Sequence, residues 1–179
     1  VAYGAQDIYL TGNPQITFFK VVYRRHTNFS MEAIEQTWNG NAIGANGSCT
    51  ATISRNGDLV HRMYLEHDVT LTGTAADATY LNICSNYGSN LIKECELEIG
   101  GQKIDKHTGL WMEVWAELTE SNPHGEVGCA TGTSIVGSTL FQKMSGMGGV
   151  KDGGSTTATT IGKLFVPLQF WFCRNPGLA

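Results

Sequence analysis

Apolar and polar side chains alternate over residues 59–71, and this run constrains the fold more than any other feature of the chain. Successive side chains of a strand point to opposite faces of its sheet, so the run predicts one long strand with a buried face. Residues 49–54 alternate likewise. Between the two runs lies Asn56-Gly57, a favoured centre for a type I′ turn. The sequence therefore predicts a β-hairpin over residues 49–71.

A third strand is predicted over residues 91–99, followed by a tight turn at Gly100-Gly101. This strand would carry Glu94, Glu96 and Glu98 on one face and apolar side chains on the other. Three carboxylates on one face could bind a cation. A stripe of this kind is more often the solvated face of a strand, which is the interpretation we favour.

One segment follows helical spacing instead of strand alternation. Its apolar residues are Leu110, Trp111, Val114, Trp115 and Leu118. Thr108 is suited to cap the start of a helix, and Asn122-Pro123 is suited to end it. We predict a short amphipathic helix whose apolar stripe seals one end of a β-sandwich. Trp111 and Trp115 could instead form a platform for a sugar ring, although core packing is the favoured role.

Two regions beyond this helix complete the prediction of the fold. Residues 125–162 are rich in Gly, Ser and Thr and predict a long loop that is functional or mobile. Residues 164–172 are apolar on both parities, which predicts a strand that is buried on both sides or lies beneath another element, with Pro167 at an edge or bulge. Several strands, tight turns and one helix predict an all-β fold, an antiparallel jelly-roll β-sandwich with a short helix insertion.

Composition narrows the classes of function. The 179 residues predict one domain, and a net charge of −4 with only 12 Lys and Arg argues against direct nucleic-acid binding. Free, largely buried thiols are predicted because the cysteines form an odd set without a C-x-x-C pair: Cys49, Cys84, Cys95, Cys129 and Cys173. Two sequons begin at Asn28 and Asn46, and the sequence does not decide whether either is glycosylated.

Signatures of enzymes are missing from the sequence. Gly162-Lys163 is followed by Leu164, so a phosphate-binding loop is absent, and no G-x-S-x-G motif occurs. His61 and His67 share a strand face, but six residues separate them by roughly 20 Å, too far for one metal ion. We therefore expect no catalytic residues, no cofactor or cofactor-binding residues, no metal site and no enzymatic activity.

Three long blocks carry a resemblance to a known family. They are GAQDIYLTGNPQITFFKVVYRRHTNFSMEAIEQTWNG (4–40), LIKECELEIGGQKIDKHTGLWMEVWAELT (91–119) and KLFVPLQFWFCRNPGLA (163–179). In this order, and with the SRNGDLV run at 54–60, they resemble major capsid proteins of nucleocytoplasmic large double-stranded DNA viruses, of the iridovirus, phycodnavirus and mimivirus type. The resemblance implies that residues 1–179 are the N-terminal jelly roll of a double jelly roll. It also implies that this first jelly roll is truncated at its C-terminus and that the second is absent.

The resemblance further implies a function. Members of the family are structural proteins that trimerise into pseudo-hexagonal capsomers and tile an icosahedral shell. The implied partners are copies of the same protein, in a homotrimer and in neighbouring capsomers, and minor capsid proteins, with an inner viral membrane beneath the shell as a further candidate. The implied location is the virion capsid, after assembly in the host cytoplasm. A carbohydrate-binding jelly-roll module is the alternative. Exposed aromatic residues within 125–162 would favour it, and Phe141 is the only aromatic residue there.

Overall fold

The computed structural model describes residue 4 and residues 25–41, 47–71, 81–82, 84–124, 129–131, 134–136, 139–150, 154–155 and 159–179. The chain divides into two compact units, Val1–Arg55 and Asn56–Ala179. In the first unit, β1 (Trp38–Asn41) pairs antiparallel with β2 (Ser48–Ala51). Residues 4–25 resemble the family's N-terminal segment and first strand, and residues 5–24 of this stretch lie outside the described residues.

The second unit contains the remaining described elements. The strands are β3 (Tyr64–Leu71), β4 (Leu81–Asn82), β5 (Glu94–Ile99), β6 (Gln102–Thr108), β7 (Cys129–Thr131), β8 (Ser134–Val136), β9 (Gly154–Ser155) and β10 (Thr159–Pro167). The helices are α1 (Tyr87–Asn90), α2 (Gly109–Thr119), α3 (Leu140–Ser145) and α4 (Trp171–Arg174), with a 3₁₀ turn at Pro176–Leu178. The described strand pairs, β3–β10, β4–β9, β5–β6 and β7–β8, are all antiparallel. No helix in these ranges has the length and apolar character that crossing a membrane requires.

The hairpin predicted over residues 49–71 is wrong, because its two strands pair with other partners. β2 pairs with β1, whereas β3 pairs with β10. A type I′ turn needs positive φ angles at both central residues, and neither Asn56 nor Gly57 has one. The Asn-Gly signal therefore marks a bend at the start of the second unit and not a turn between paired strands.

The alternation that predicted a strand over residues 59–71 is confirmed in its central part. From residue 61 to residue 68 the odd-numbered side chains are half-buried and the even-numbered ones are exposed. The strand begins at Tyr64, however, and Leu59 is 72% exposed. Within the β3–β10 pair, Leu65 stands opposite Val166, so the inward faces of both strands meet the same core.

The β5–β6 hairpin agrees closely with the sequence. Gly100 and Gly101 have φ angles of +62° and +80°, which residues with a Cβ rarely adopt, and they form the predicted turn. Cys95 and Leu97 on β5 are half-buried and pack against the core. The strand starts at Glu94, three residues later than predicted.

The core of the second unit gathers side chains from α2, from the segment after α3 and from residues 166–172. Its buried members are Met112, Ala116, Met147, Val166, Leu168, Phe170 and Phe172. Residues 164–172 are thus buried at the even positions, whereas Phe165 is 38% exposed. The prediction of a strand buried on both sides is wrong. Pro167 has no N–H for the ladder, so β10 ends there and the chain turns into α4.

The long loop predicted over residues 125–162 contains α3 and a buried turn that follows it. α3 starts with a capping box, in which Thr139 Oγ1 accepts the Gln142 N–H and Gln142 Oε1 accepts the Thr139 N–H. Gln142 and Ser145 are fully buried. The loop prediction is therefore wrong for residues 139–150, most of which are buried or half-buried, and for β7, β8, β9 and the start of β10.

Side chains from three regions hold the backbone of Gly148 and Gly149. Glu113 Oε1 on α2 accepts the Gly148 N–H at 3.1 Å, and Asn86 Oδ1 accepts the Gly149 N–H at 2.7 Å. Gln142 Nε2 donates to the Gly148 carbonyl at 2.7 Å. These hydrogen bonds join α2, α3 and the start of α1 through backbone groups.

Candidate functional site

Helix α2 presents apolar side chains on two opposite faces. As predicted, Thr108 caps its start, where Oγ1 accepts the Trp111 N–H at 3.3 Å. The inner face carries Met112 and Ala116, which are 0% and 5% exposed and belong to the core. This face fixes the helix on the second unit.

The outer face of α2 consists of Leu110, Trp111, Val114 and Leu118. Their exposed fractions are 75%, 36%, 42% and 74%. The prediction that this stripe seals the end of a sandwich is therefore wrong. The helix approaches its neighbours through small residues: a Cβ at Gly109 would stand 1.9 Å from the Ser89 carbonyl oxygen. The bulkier side chains are left outside, and exposed apolar surface of this kind marks interaction sites.

The two tryptophans of α2 lie side by side near the surface. The ring centroids of Trp111 and Trp115 are 5.7 Å apart. The Arg174 guanidinium carbon lies 5.0 Å from the Trp115 centroid, a cation–π contact that covers this ring. Neither tryptophan belongs to the core cluster, so the prediction of core packing is wrong.

A shallow cleft of about 330 Å³ opens beside the start of α2. It is lined by Asp105, Lys106, His107, Thr108, Trp111, Gln169 and Arg174. Its charges are already engaged, since Lys106 Nζ lies 2.6 Å from a Glu94 carboxylate oxygen and Arg174 stacks on Trp115. The cleft therefore contains one paired cation, Lys106, one cation stacked on an aromatic ring, Arg174, and one carboxylate, Asp105.

His107 lies at the base of this cleft and is 6% exposed. Its ring meets the Phe170 ring edge-on, with centroids 4.5 Å apart. Among the described residues, neither of its ring nitrogens has a hydrogen-bond partner. Burial lowers the pKa of His107, an effect that Asp105 opposes and Arg174 reinforces. Sequence reasoning missed this residue. Asp105 and His107 both point inward while Lys106 is exposed, so strand alternation was the signal that could have indicated an inward position for His107.

The predicted glutamate stripe is exposed on β5. Lys106 Nζ lies 2.6 Å from Glu94, and Lys103 Nζ lies 2.6 Å from Glu96. The hydrogen bond from Lys106 lowers the pKa of Glu94, and the same contact raises the pKa of Lys106. Because lysines occupy two of the three carboxylates, the stripe is better explained as a solvated, ion-paired face than as a cation site.

His67 lies on β3 and His61 lies three residues before β3 begins, and the two have separate environments. His67 Nε2 lies 2.8 Å from the Tyr87 hydroxyl, and the two rings stack. Burial raises the pKa of Tyr87, with a smaller contribution from Cys84. His61 is half-buried six residues earlier. Within the described ranges, no three His, Cys, Asp or Glu side chains lie close enough to hold a metal ion.

The cysteines agree only in part with the sequence. Free thiols are confirmed for Cys49, Cys84 and Cys173. The prediction of burial is wrong, because Cys84 is exposed and Cys49, Cys95 and Cys173 are half-buried. Partial burial raises the pKa of Cys173. The side chain of Cys129 and all of Asn46 lie outside the described residues, and Asn28 is exposed.

Comparisons with known proteins extend over the whole chain. The family model for the major capsid protein N-terminus matches residues 17–179. The chain is 52% identical to the major capsid protein of Pyramimonas orientalis virus, with 100% of this chain and 41% of the relative aligned. It is 45% identical to capsid protein 1 of Acanthamoeba polyphaga mimivirus and 41% identical to the major capsid protein of Paramecium bursaria Chlorella virus 1. Both alignments include 100% of this chain, but only 30% and 35% of those relatives, so the chain spans less than half of their length.

A solved structure gives the same result for the fold. A chain of the quasi-atomic model of the PBCV-1 virus capsid matches with a TM-score of 0.59 and 32% identity, over 91% of this chain and 33% of that chain. This likeness confirms the predicted antiparallel, all-β jelly-roll fold. The resemblance carried by the three sequence blocks is confirmed as well, and the chain belongs to the family of major capsid protein N-terminal regions from large double-stranded DNA viruses.

Proposed function

We propose that this chain is the N-terminal jelly roll of a structural capsid protein that trimerises into pseudo-hexagonal capsomers of an icosahedral shell. The alignment of the entire chain, at 52% identity, with a relative named major capsid protein is the observation that carries this proposal. The proposed role is structural and not enzymatic, in a virion assembled in the host cytoplasm. We further propose that residues 1–179 form one jelly-roll domain that later strands of the full-length protein complete.

The proposed partners are further copies of the protein, minor capsid proteins and an inner membrane beneath the shell. Direct nucleic-acid binding is not part of the proposal. The net charge is −4, and Lys103, Lys106 and Lys163 each lie against a glutamate. A surface that binds phosphates needs cations that are free to neutralise them.

Within the trimer, we propose that a second copy covers the outer face of α2. The stripe from Leu110 to Leu118 spans nine residues, or about 12 Å of helix between the first and the last. That is small against the roughly 800 Å² that each partner buries in a standard interface, so α2 would supply the apolar centre of a larger contact. The exposed Glu117 and Glu120 beside the stripe fit the polar rim of such a contact.

Charge favours a rotational trimer over a two-fold pair at this face. Helix α2 contains Glu113 and Glu117, with Glu120 directly after it, and it contains no Lys or Arg. In a two-fold contact the same patch meets itself, which would bring the exposed Glu117 and Glu120 of the two copies together. Glu113 takes no part, because its carboxylate is turned inward to the Gly148 N–H. In a three-fold arrangement each α2 meets a different surface of the next subunit, which removes this repulsion.

The double variant Leu110→Glu/Leu118→Glu of the full-length protein tests the contact. Both side chains are about three-quarters exposed, so folding should be nearly unaffected, whereas two charges in an apolar interface should prevent association. Mass measurement in solution and imaging of particles should find wild-type trimers and shells, and a folded monomer for the variant. Leu59→Glu is the matched control, because Leu59 is 72% exposed elsewhere and its variant should still trimerise.

Other outcomes separate the parts of the proposal. A double variant that remains trimeric would contradict the contact and leave the capsid role standing. Misfolding of the double variant would mean that the same polypeptide covers α2, which also contradicts the contact. A stable wild-type monomer that bound glycans would contradict the capsid role and favour the carbohydrate-binding module.

A further inference from the structure

His107 is a titratable ring in an environment that has no place for a positive charge. It is 6% exposed, and it packs edge-on against Phe170, a core residue that is 1% exposed. Both ring nitrogens are buried without a partner among the described residues. The exposed ring of His124 differs, since its Nε2 lies 2.6 Å from a Glu117 carboxylate oxygen. A neutral ring with unsatisfied nitrogens is tolerated here at a cost, whereas a buried unpaired cation is far more costly.

The groups around His107 do not supply a counter-charge in hydrogen-bond contact. On β6 itself, Asp105 favours the cation electrostatically, but its carboxylate accepts the Lys106 N–H and does not bond to the ring. On α4, Arg174 repels a positive ring. On β5, the residue opposite in register is Cys95.

The remaining neighbours are neutral or already engaged. The Lys106 ammonium pairs with Glu94. On α2, Glu113 Oε1 accepts the Gly148 N–H and Glu113 Oε2 is buried without a partner among the described residues, but the charges that act on the His107 ring are those of Asp105 and Arg174. The thiol of Cys173 on α4 has a pKa raised by burial and stays uncharged below neutral pH. Phe170 offers only the edge of an aromatic ring.

We propose that His107 is an acid-sensitive switch, in which protonation of the ring loosens the packing of β6 against Phe170 and the start of α2. The ring therefore destabilises the second unit less at neutral pH, where it is uncharged, than in acid. In an assembled particle this would soften the subunits of the shell as the pH falls, a consequence that rests on the proposed function.

The pH window follows from the direction of the pKa shift. The ordinary pKa of histidine is about 6.5, and burial lowers that of His107 in the folded protein. Below pH 6.5 the folded state therefore binds fewer protons than an opened state, so stability is complete above pH 6.5 and is lost as the pH falls through the folded-state pKa. A difference of one proton changes the opening equilibrium by at most about tenfold per pH unit.

Hydrogen exchange of the full-length, unassembled protein at pH 7.5, 6.5 and 5.5 tests the switch, with each rate corrected for intrinsic exchange. In the wild type, peptides from β6 and α2 should lose protection by up to about tenfold per pH unit below 6.5. His107→Gln cannot take up the proton and should lack this slope. His26→Gln is the matched control and should keep the wild-type slope, because His26 is exposed and belongs to the first unit.

Equal slopes in the wild type and in His107→Gln would overturn the proposal, as would a flat wild-type profile. If His107→Gln does not fold, His107→Phe replaces it, because it keeps an aromatic ring against Phe170 without a titratable group. The exchange rates are measured without assembly, so a failure of this proposal is distinguishable from a failure of the trimer.

Discussion

The inner and outer faces of α2 have similar side chains and opposite surroundings. Met112 on the inner face is 0% exposed, while Leu110 and Leu118 on the outer face are 75% and 74% exposed. Hydrophobicity does not separate the faces. Size does not separate them either, since Met112 is among the largest fully buried side chains. The inner side differs because Gly109 lets the helix backbone approach Ser89 closely. Apolar residues that remain outside a packed helix therefore point to association between molecules and not to the stability of one molecule.

Among the variants that compare the two faces of α2, Met112→Ala should have the largest effect on folding stability. The side chain is fully buried among core residues, so its truncation leaves a cavity and should lower the free energy of unfolding by about 2–5 kcal/mol. Chemical denaturation of the full-length protein would measure the loss. A change below about 0.5 kcal/mol would mean that the inner face is not the face that holds α2 in place.

Thr108→Ala should have an intermediate effect, because it removes the cap that both faces share. Loss of the bond between Thr108 Oγ1 and the Trp111 N–H should lower the free energy of unfolding by about 1 kcal/mol. Thr108→Ser keeps a hydroxyl and should retain most of the stability in the same denaturation experiment. If the serine and alanine variants were equally unstable, the cap would not be the cause.

Leu118→Ala should have the smallest effect on folding, within about 0.5 kcal/mol, because the side chain is already 74% exposed. Its effect should appear instead as a shift from trimer towards monomer on dilution of the full-length protein. The measurement is a dilution series by sedimentation or light scattering, with Met112→Ala for comparison. A loss of stability equal to that of Met112→Ala would remove the distinction between the two faces.

Local signals in the sequence predicted local structure well. The turn at Gly100-Gly101 and the cap at Thr108 depend only on residues close to one another in the chain, and both are confirmed. Alternation over 61–68 gave the buried face of β3 for the same reason. The alternation gave no information about which strand lies beside β3 in the sheet. The predicted hairpin was therefore wrong, and β3 pairs with β10.

The candidate site was less predictable because its determinants are distant or lie in the backbone. The Thr139 and Gln142 capping box was readable, but the many glycines around it favoured a loop. The backbone groups of Gly148 and Gly149 carry no signal for the side chains that bind them. The orientation of α2 was missed because the regular leucine stripe is on the surface and the less regular inner face is buried.

The pairing of β3 with β10 cannot form until β10 has been synthesised. Lys163 on β10 pairs with Glu66 on β3, 97 residues earlier in the chain. At roughly 5–20 residues per second, a ribosome needs on the order of 5–20 s to produce the partner after β3 has been made. During that time β3 has an open edge that another nascent chain could occupy. Several ribosomes translate one messenger RNA at the same time, so unfinished chains with an unpaired β3 lie close together. The pairing of β3 with β10 must form correctly despite this crowding.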